Sequence, residues 1–362
     1  MPAQIIGMIG VTPPQGATVH VIKGALSKAF LAEFAQAHES AGFDMALVGY
    51  TASSAEGFNV ALYAAMKTTR LKYLIAHRPG SVAPTLAARK IATFDQLTEG
   101  RMALHIIAGA SDQEQESEGD FLSKDDRYRR ADEYVGLLRR LWTESSPLDH
   151  EGEFYRISKG YSDVRPFQTP YPRIYFGGSS TSALEMGARQ CDAFAMFGEP
   201  LKETAERIAA FSTMAAAHGR PAGYNISFRP IIADTEGAAW DKAQRLLDEV
   251  KGKSASVKAL DASAERLLKY GSMADVHDQR LWMGIATVTG AAGNTSCLVG
   301  TPQQVGDAIL QYYKLGVDSF LIRGFDPVND TTEFGRELIP YVKEGAMRID
   351  RERLARIDVF IE

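Results

Sequence analysis

The sequence reads Pro172-Arg173-Ile174-Tyr175-Phe176-Gly177-Gly178-Ser179-Ser180-Thr181 near its middle, where an apolar run leads into two glycines and two serines. The run has the length of a buried strand, and residues 182–189 continue in the pattern of a helix. The first N–H groups of a helix can bind an anion, glycines let a phosphate come close, and serine hydroxyls add donors. The stretch therefore predicts a strand, an anion-binding turn and a helix in succession. A plain turn with a serine N-cap is the alternative interpretation.

The same strand-then-helix unit recurs along the chain. Short apolar runs, typical of parallel strands buried on both faces, lie at residues 5–11, 44–49, 71–77, 102–108, 173–176, 193–197, 225–233 and 317–322. Helical patterns follow them at residues 26–41, 58–67, 84–97, 126–142, 182–189, 201–218, 236–250 and 332–342. Eight such pairs are the number that a closed (β/α)8 TIM barrel of the α/β class requires, and we predict this fold. An open doubly wound sheet is the alternative, because periodicity does not show closure.

The longest interruption of this pattern separates the seventh strand from the eighth. Residues 251–296 have glycine-containing, polar ends around a helical middle. This composition suits a hinged lid over the mouth of a barrel; a surface elaboration or a dimer contact is the alternative. We expect residues 1–362 to form one barrel domain with this insertion as its lid.

Composition restricts the class of protein. The formal net charge is −5, and no basic run marks a nucleic-acid surface. The two cysteines, Cys191 and Cys297, stand far apart beside apolar stretches, which predicts reduced core thiols. We find no metal-ligand spacing, no leader sequence and no apolar run of the ~20 residues that a membrane helix needs. These features predict a soluble, cytoplasmic protein that binds neither nucleic acid nor membrane.

A series of short motifs runs in order along the chain. They are Arg78-Pro79-Gly80, Ala92-Thr93-Phe94-Asp95-Gln96-Leu97-Thr98-Glu99-Gly100-Arg101, Phe121-Leu122-Ser123 with Asp126-Arg127-Tyr128, Tyr175-Phe176-Gly177-Gly178-Ser179-Ser180, Phe197-Gly198-Glu199-Pro200, Leu298-Val299-Gly300-Thr301-Pro302 and Leu315-Gly316-Val317-Asp318-Ser319-Phe320. Together they resemble the bacterial-luciferase-like flavin-dependent monooxygenases, and within them the alkanesulfonate monooxygenase branch. The resemblance covers nearly the whole chain and implies the same barrel that the strand count predicts.

The resemblance also implies a reaction. Members of this family receive reduced FMN (FMNH2) from a separate NAD(P)H:FMN reductase and use O2 to oxygenate a small organic substrate. The substrate is often an organosulfur compound whose C–S bond is cleaved. The resemblance further implies a homo-oligomer, either a dimer or a tetramer.

Positions of this sequence that match the family's cofactor site can be named. The resemblance assigns the FMN phosphate to Gly178, Ser179, Ser180 and Tyr128, and the flavin ring to His77 and Ala108. Neutral hydroxyl donors suit a cofactor that exchanges freely. Tyr128 also fits the apolar face of its helix, so a core tyrosine is the alternative.

The substrate pocket departs from the alkanesulfonate branch. Residues that differ from that branch occupy the matching positions Pro13, Ser54, Phe197, Ser227, Arg229, Thr289 and Phe325. We therefore expect oxygen chemistry to be kept and the specificity to differ.

Five residues are our candidates for catalysis or substrate binding. They are Arg229, Ser54, His20, Trp282 and Arg323. A guanidinium at Arg229 or Arg323 could hold a sulfonate or carboxylate in a bidentate manner, and the alternative for each is an ion pair with a neighbouring carboxylate. Trp282 either covers the substrate or packs the insertion, and His20 is either catalytic or an ordinary loop histidine.

The leading prediction is an FMNH2-dependent monooxygenase acting on a sulfonate-like substrate. A barrel that transfers hydride with the deazaflavin F420 or with a flavin is the second hypothesis, and dependence on O2 separates the two. A flavin-binding protein without turnover is the third.

Overall fold

The computed structural model describes residues 2–14, 16–18, 22, 24–109, 111–251 and 262–359. The strands are β1 (Gln4–Met8), β2 (Met45–Val48), β3 (Lys72–His77), β4 (Met102–Ile106), β5 (Leu148–Glu151), β6 (Arg156–Gly160), β7 (Ile174–Gly177), β8 (Ala193–Phe197), β9 (Gly223–Ile232), β10 (Val276–His277), β11 (Leu281–Trp282), β12 (Cys297–Gly300) and β13 (Ser319–Ile322). The helices are α1 (Lys28–Ser40), α2 (Gly57–Ala65), α3 (Pro84–Leu97), α4 (Asp112–Glu116), α5 (Lys124–Thr143), α6 (Thr181–Gln190), α7 (Leu201–Ala217), α8 (Glu236–Lys251), α9 (Ala262–Met273), α10 (Gly284–Thr289), α11 (Pro302–Lys314), α12 (Pro327–Glu333) and α13 (Ile339–Val359). A π-helical turn, Phe334–Leu338, joins α12 to α13.

Eight of these strands form a closed parallel barrel in the order β1, β2, β3, β4, β7, β8, β9 and β13. The last strand pairs with the first, with Ser319 opposite Gln4 and Phe320 opposite Ile5. This ladder closes the ring and leaves no strand edge on the barrel. The prediction of a (β/α)8 TIM barrel is therefore confirmed, and the open sheet is excluded.

The interior of the barrel is filled by one layer of side chains from alternate positions of the strands. These side chains are Ile6, Met45, Leu74, Ala103, Tyr175, Ala193 and Leu321. The opposite faces of the same strands pack against the helices in a larger apolar core. Side chains alternate across a strand, so the residues two positions after the members of this layer point into the mouth of the barrel.

Strand β9 changes its partner halfway along its length. Residues 225–228 pair with β13 in the barrel, whereas residues 229–232 pair with β12. Strands β12, β11 and β10 extend the sheet outward from this point. Residues of β9 beyond Phe228 thus belong to the inserted region and not to the barrel wall.

A helix that the sequence pattern did not predict completes the barrel's outer ring. Helix α11 packs against α7 and α13, whereas α8 packs on β12 and α10. The start of α11 carries strong signals, with Pro302 in its first turn and a capping box between Thr301 and Gln304. The described part of the insertion contains α9, β10, β11 and α10, and its role as a lid stays a prediction.

Whether the described residues contain membrane-spanning helices or metal-ligand groups also bears on function. Every helix found there is too short or too polar to cross a lipid bilayer. The same residues contain no group of three or more His, Cys, Asp or Glu side chains arranged to hold a metal ion.

A buried histidine makes the fold sensitive to acid. His38 lies between the rings of Phe34 and Phe43, and its Nδ1 lies 2.8 Å from the Phe34 carbonyl. Burial lowers the pKa of His38 to about 4. The unfolded chain binds this proton near pH 6.5 and the folded chain only near pH 4, so stability falls as the pH falls through that window.

We expect His38→Phe to flatten this pH dependence. Between pH 6.5 and 4 the wild type should lose up to about 3 kcal/mol more unfolding free energy than the variant. Urea unfolding at several pH values measures the difference. Parallel pH profiles of the two proteins would contradict the assignment.

Candidate active site

A cavity of about 380 Å³ opens at the C-terminal ends of the barrel strands. Its inner wall includes residues that each stand two positions beyond a member of the interior layer, namely Met8, Leu47, His105, Gly177, Ala195 and Arg323. The alternation of strand side chains places them in the mouth of the barrel. The C-terminal face is where (β/α)8 enzymes carry their active sites, so this cavity is the candidate active site.

The turn between β7 and α6 forms one wall of the cavity. Gly178 has a φ of +154°, and a Cβ there would lie 2.7 Å from the Cβ of Ala183 and 3.0 Å from the hydroxyl of Tyr128. Ser180 caps α6, because its Oγ accepts a hydrogen bond of 3.3 Å from the N–H of Ala183. Glycine is thus required at position 178, and it brings the turn's backbone beside the tyrosine hydroxyl.

The first turns of α5 add two donors to this wall. Lys124 and Tyr128 both line the cavity, and their spacing of four residues puts them on one face of the helix. Tyr128 is buried in the core as well, so the two interpretations of this residue are compatible. An ammonium and a phenol therefore stand beside the glycine-serine turn.

A second positive group lies behind Ser179. The Ser179 Oγ accepts a hydrogen bond of 3.0 Å from Arg207 and lies 2.9 Å from the Oγ of Ser263, at the start of α9. Arg207 and Arg266 both pair with the buried carboxylate of Glu199, at 2.6 Å each. Two guanidiniums facing one carboxylate leave an excess positive charge next to the turn.

The structure does not bring His77 to the cavity. His77 lies on the outer face of β3, where its Nε2 is 2.8 Å from the hydroxyl of Tyr134 and its ring packs against Phe58. His105 of β4 lines the cavity instead. Burial lowers the pKa of His105 to about 4, so its imidazole is neutral at neutral pH. The alternation of side chains along β4 could have identified His105 from the sequence, because His105 and Ala103 lie two positions apart and share the inward face of the strand.

Small residues follow β4, as the sequence predicts. Ala108 and Gly109 line the cavity. The carbonyl of Ala108 accepts a hydrogen bond of 2.9 Å from Arg127, which also binds the carboxylate of Asp112 at 2.7 Å. Gly109 has a φ of +84° and lies against the side chain of Gln115. The backbone here is therefore held in place while its surface stays flat.

A charged cluster closes the side of the mouth near α4. Arg78 pairs with Glu114 at 3.1 Å and with Glu118, and its guanidinium lies 4.6 Å from the centre of the Tyr50 ring. The hydroxyl of Tyr50 donates to Glu118. Arg78, Tyr50 and Glu114 line the cavity. The sequence analysis did not select these residues, because their distance along the chain hides the cluster.

Arg229 does not reach the cavity, contrary to the sequence-based prediction. Its side chain is 1% exposed. The guanidinium donates to the carbonyls of Asn294 at 3.1 Å, Thr18 at 3.1 Å and Gly324 at 3.0 Å. Arg229 lies two residues after Ser227, a spacing that places both on the same face of β9. At Arg229, however, β9 pairs with β12 and no longer with the barrel strand β13. It joins three loops around the mouth instead of facing a substrate.

Arg323 does line the cavity. Its Nη1 lies 3.0 Å from the sulfur of Met8, and its buried Nε has no hydrogen-bond acceptor among the described residues. Burial, together with the charge of the nearby Arg229, lowers the pKa of Arg323 well below its usual value. A cation thus stands in the mouth without a carboxylate partner in the described chain.

The remaining candidates lie away from the cavity or outside the described residues. Ser54 closes a local turn, with its Oγ donating 2.9 Å to the carbonyl of Thr51. Trp282 packs edge-to-face against Trp240 of α8, in an apolar cluster between α8 and the insertion, and does not line the cavity. His20 lies outside the described residues.

The arrangement can bind a long ligand with unlike ends. One end of the cavity offers hydroxyls, an ammonium and helix N–H groups, which suit a phosphate. The inner part offers apolar walls, including Leu47, Leu74 and Phe197, together with one guanidinium.

We expect Arg229→Met to destabilise the fold. The substitution would leave buried carbonyls of three loops without their donor, at a cost of about 3 kcal/mol. Urea unfolding measures this loss, and Arg245→Met, at an exposed position of α8, is the control that should change little. Unchanged stability together with weakened substrate binding would instead return Arg229 to the substrate site.

Comparison with known proteins places this geometry in context. Residues 8–319 match the family described as luciferase-like monooxygenase. Riboflavin lyase (RcaE) is 21% identical with a TM-score of 0.75, over 95% of this chain and 92% of that one. EDTA monooxygenase (EmoA) from Chelativorans sp. BNC1 is 17% identical with a TM-score of 0.71, over 95% and 94%.

A protein that depends on F420 has the same fold. An F420-dependent secondary alcohol dehydrogenase is 16% identical with a TM-score of 0.67, over 94% of this chain and 99% of that one. Identities this low show a shared barrel and no more. The family match covers most of the sequence, and the chain belongs to the luciferase-like monooxygenase family.

Proposed function

We propose that this protein is an FMNH2-dependent monooxygenase that uses O2 to oxygenate a small organic substrate in the barrel mouth. The observation that carries the proposal is the cavity wall formed by the turn at Gly178 and the hydroxyl of Tyr128. It combines hydroxyl and N–H donors that suit an anion with small-residue walls in one cavity.

The residues present fit the FMN phosphate. At position 178 a side chain would occupy the space between the turn and Tyr128, so the glycine keeps a cradle open there. Ser179, Ser180, Tyr128 and Lys124 would hold the phosphate, and the charge of Arg207 behind Ser179 would favour an anion. When bound, reduced FMN supplies the electrons that O2 activation needs.

The remaining walls would exclude water from the reaction. Leu47, Leu74, Phe197 and Leu321 surround the inner part of the cavity with apolar surface. Ala108 and Gly109 leave room for a flat ring beside β4. The neutral imidazole of His105 faces the same space and can donate or accept one hydrogen bond without adding charge.

We further propose that the substrate is a small anionic organosulfur compound, such as a sulfonate. A sulfonate R–CH2–SO3⁻ would react with O2 and FMNH2 to give the aldehyde R–CHO, hydrogen sulfite, FMN and water. The guanidinium of Arg323 in the cavity supports an anionic substrate. A separate NAD(P)H:FMN reductase, a homo-oligomeric assembly and a cytoplasmic location belong to the same proposal.

Binding of FMN tests the cofactor site. We expect the double variant Ser179→Ala/Ser180→Ala to weaken FMN binding by about 1–3 kcal/mol, because two donors to the phosphate are lost. Fluorescence quenching of FMN measures the dissociation constant. Ser182→Ala is the matched control, since Ser182 lies in the first turn of the helix that Ser180 caps and donates to Asp125. Equal affinity of the folded double variant and the control would remove the assignment.

Dependence on oxygen separates the possible reactions. Substrate-dependent O2 consumption with FMNH2 and a panel of sulfonates is the expected result. Anaerobic oxidation of an alcohol with F420 would favour hydride transfer, which the F420-dependent relative makes a definite alternative. Tight FMN binding without product from any substrate in either assay would favour a binding protein without turnover.

A further inference from the structure

Among the described residues, three cationic side chains line the cavity, and their partners differ. Arg78 has two glutamates within ion-pair distance. Lys124 stands beside Tyr128 at the glycine-serine turn. Arg323 has no ion pair with any carboxylate in the described part of the chain, and the charge that acts on it is that of another arginine.

The position of Arg323 directs its charge into the mouth. Arg323 stands two residues beyond Leu321 of the interior layer and so points inward. Its Nη1 donates to the sulfur of Met8 at 3.0 Å. A thioether sulfur is a weak acceptor, and the buried Nε has none in the described residues. The guanidinium is therefore held in place while most of its bonding capacity is left over.

The described groups that follow Arg323 in the chain do not supply the missing acceptor. The carbonyl of Gly324, next in the chain, already accepts from Arg229. The two carboxylates that follow Arg323 most closely in the chain are those of Asp326 and Asp330. One oxygen of Asp330 accepts from the N–H groups of Phe325 and Asp326, and the other faces Lys242. A partly buried cation without a counterion costs free energy. An anionic ligand would recover that cost.

The anion at Arg323 is distinct from the FMN phosphate. The phosphate turn follows β7, and Arg323 follows β13, with β8 and β9 between them in the barrel. The two charged sites therefore lie on different sides of the mouth, with Ala195, Asn225 and Ser227 lining the space between. A group other than the cofactor phosphate would therefore occupy the second site.

We propose that Arg323 binds the anionic group of the substrate, a singly charged sulfonate or carboxylate, while the apolar body of the substrate lies against Met8 and Leu47. This inference rests on the proposed function, because it takes the substrate to be the molecule oxygenated in this cavity. It assigns to Arg323 alone the role that the sequence divided between Arg229 and Arg323.

Titration with matched probes tests the site. Hexane-1-sulfonate, hexanoate and hexan-1-ol share one chain and differ in charge, and isothermal titration gives their affinities with and without bound FMN. We expect at least one of the two anions to bind tenfold or more tightly than the alcohol. Arg323→Met should abolish this preference, and Arg323→Lys should keep part of it. Lys124→Met is the control, which should weaken FMN and leave anion binding unchanged.

Thermal unfolding distinguishes a role of Arg323 in substrate binding from a purely structural role. Removing a partly buried cation that has no counterion should leave the melting temperature of Arg323→Met equal to or above that of the wild type. A lower melting temperature with unchanged anion binding would overturn the proposal. So would binding of neither anion to the wild type in either state.

The test also distinguishes failure of the inference from failure of the proposed function. If Arg323→Met weakens FMN and leaves anion binding intact, Arg323 serves the cofactor ring and the inference is wrong while the proposed function stands. If FMN does not bind the wild type but the anions bind through Arg323, the proposed cofactor is wrong and the anion site remains.

Discussion

The pairing of β13 with β1 is the constraint on which the rest of the molecule depends. Once that ladder closes the ring, every barrel side chain lies either inside or outside, and one residue of displacement reverses the assignment. The interior layer of seven apolar side chains then fixes the next layer, which lines the mouth. The alternation of inward and outward side chains explains why His105 and Arg323 line the cavity and why His77 does not.

Charge in the mouth is arranged in three separate ways. Arg78 is neutralised by two glutamates, the Arg207–Glu199–Arg266 group keeps one excess charge behind Ser179, and Arg323 stands without a carboxylate in the described residues. Arg229, which is fully buried, is bound by backbone carbonyls. Similar side chains thus differ in their surroundings, according to which acceptors lie around each guanidinium.

Local patterns in the sequence were enough for the barrel and for the turn at Gly178, because strand length, glycine and N-cap serine act within a few residues. They were not enough for three features that depend on distant partners. Placing His77 requires the inward register of β3, and placing Arg229 requires the change of partner in β9. Helix α11 was missed because residues 236–250 were counted as the helix that follows the seventh strand. Trp282 shows the same limit, since its packing against Trp240 depends on how the insertion folds.

The three-carbonyl contact of Arg229 has a consequence for redesign of the enzyme. It fastens the loops after β1, before β12 and after β13 from behind the pocket, without exposing an atom to the ligand. The frame of the mouth is therefore separable from its lining. Libraries that vary Met8, Asn225 and Ser227 can explore new substrates on an unchanged backbone, provided that Arg229 and its acceptor loops are left as they are.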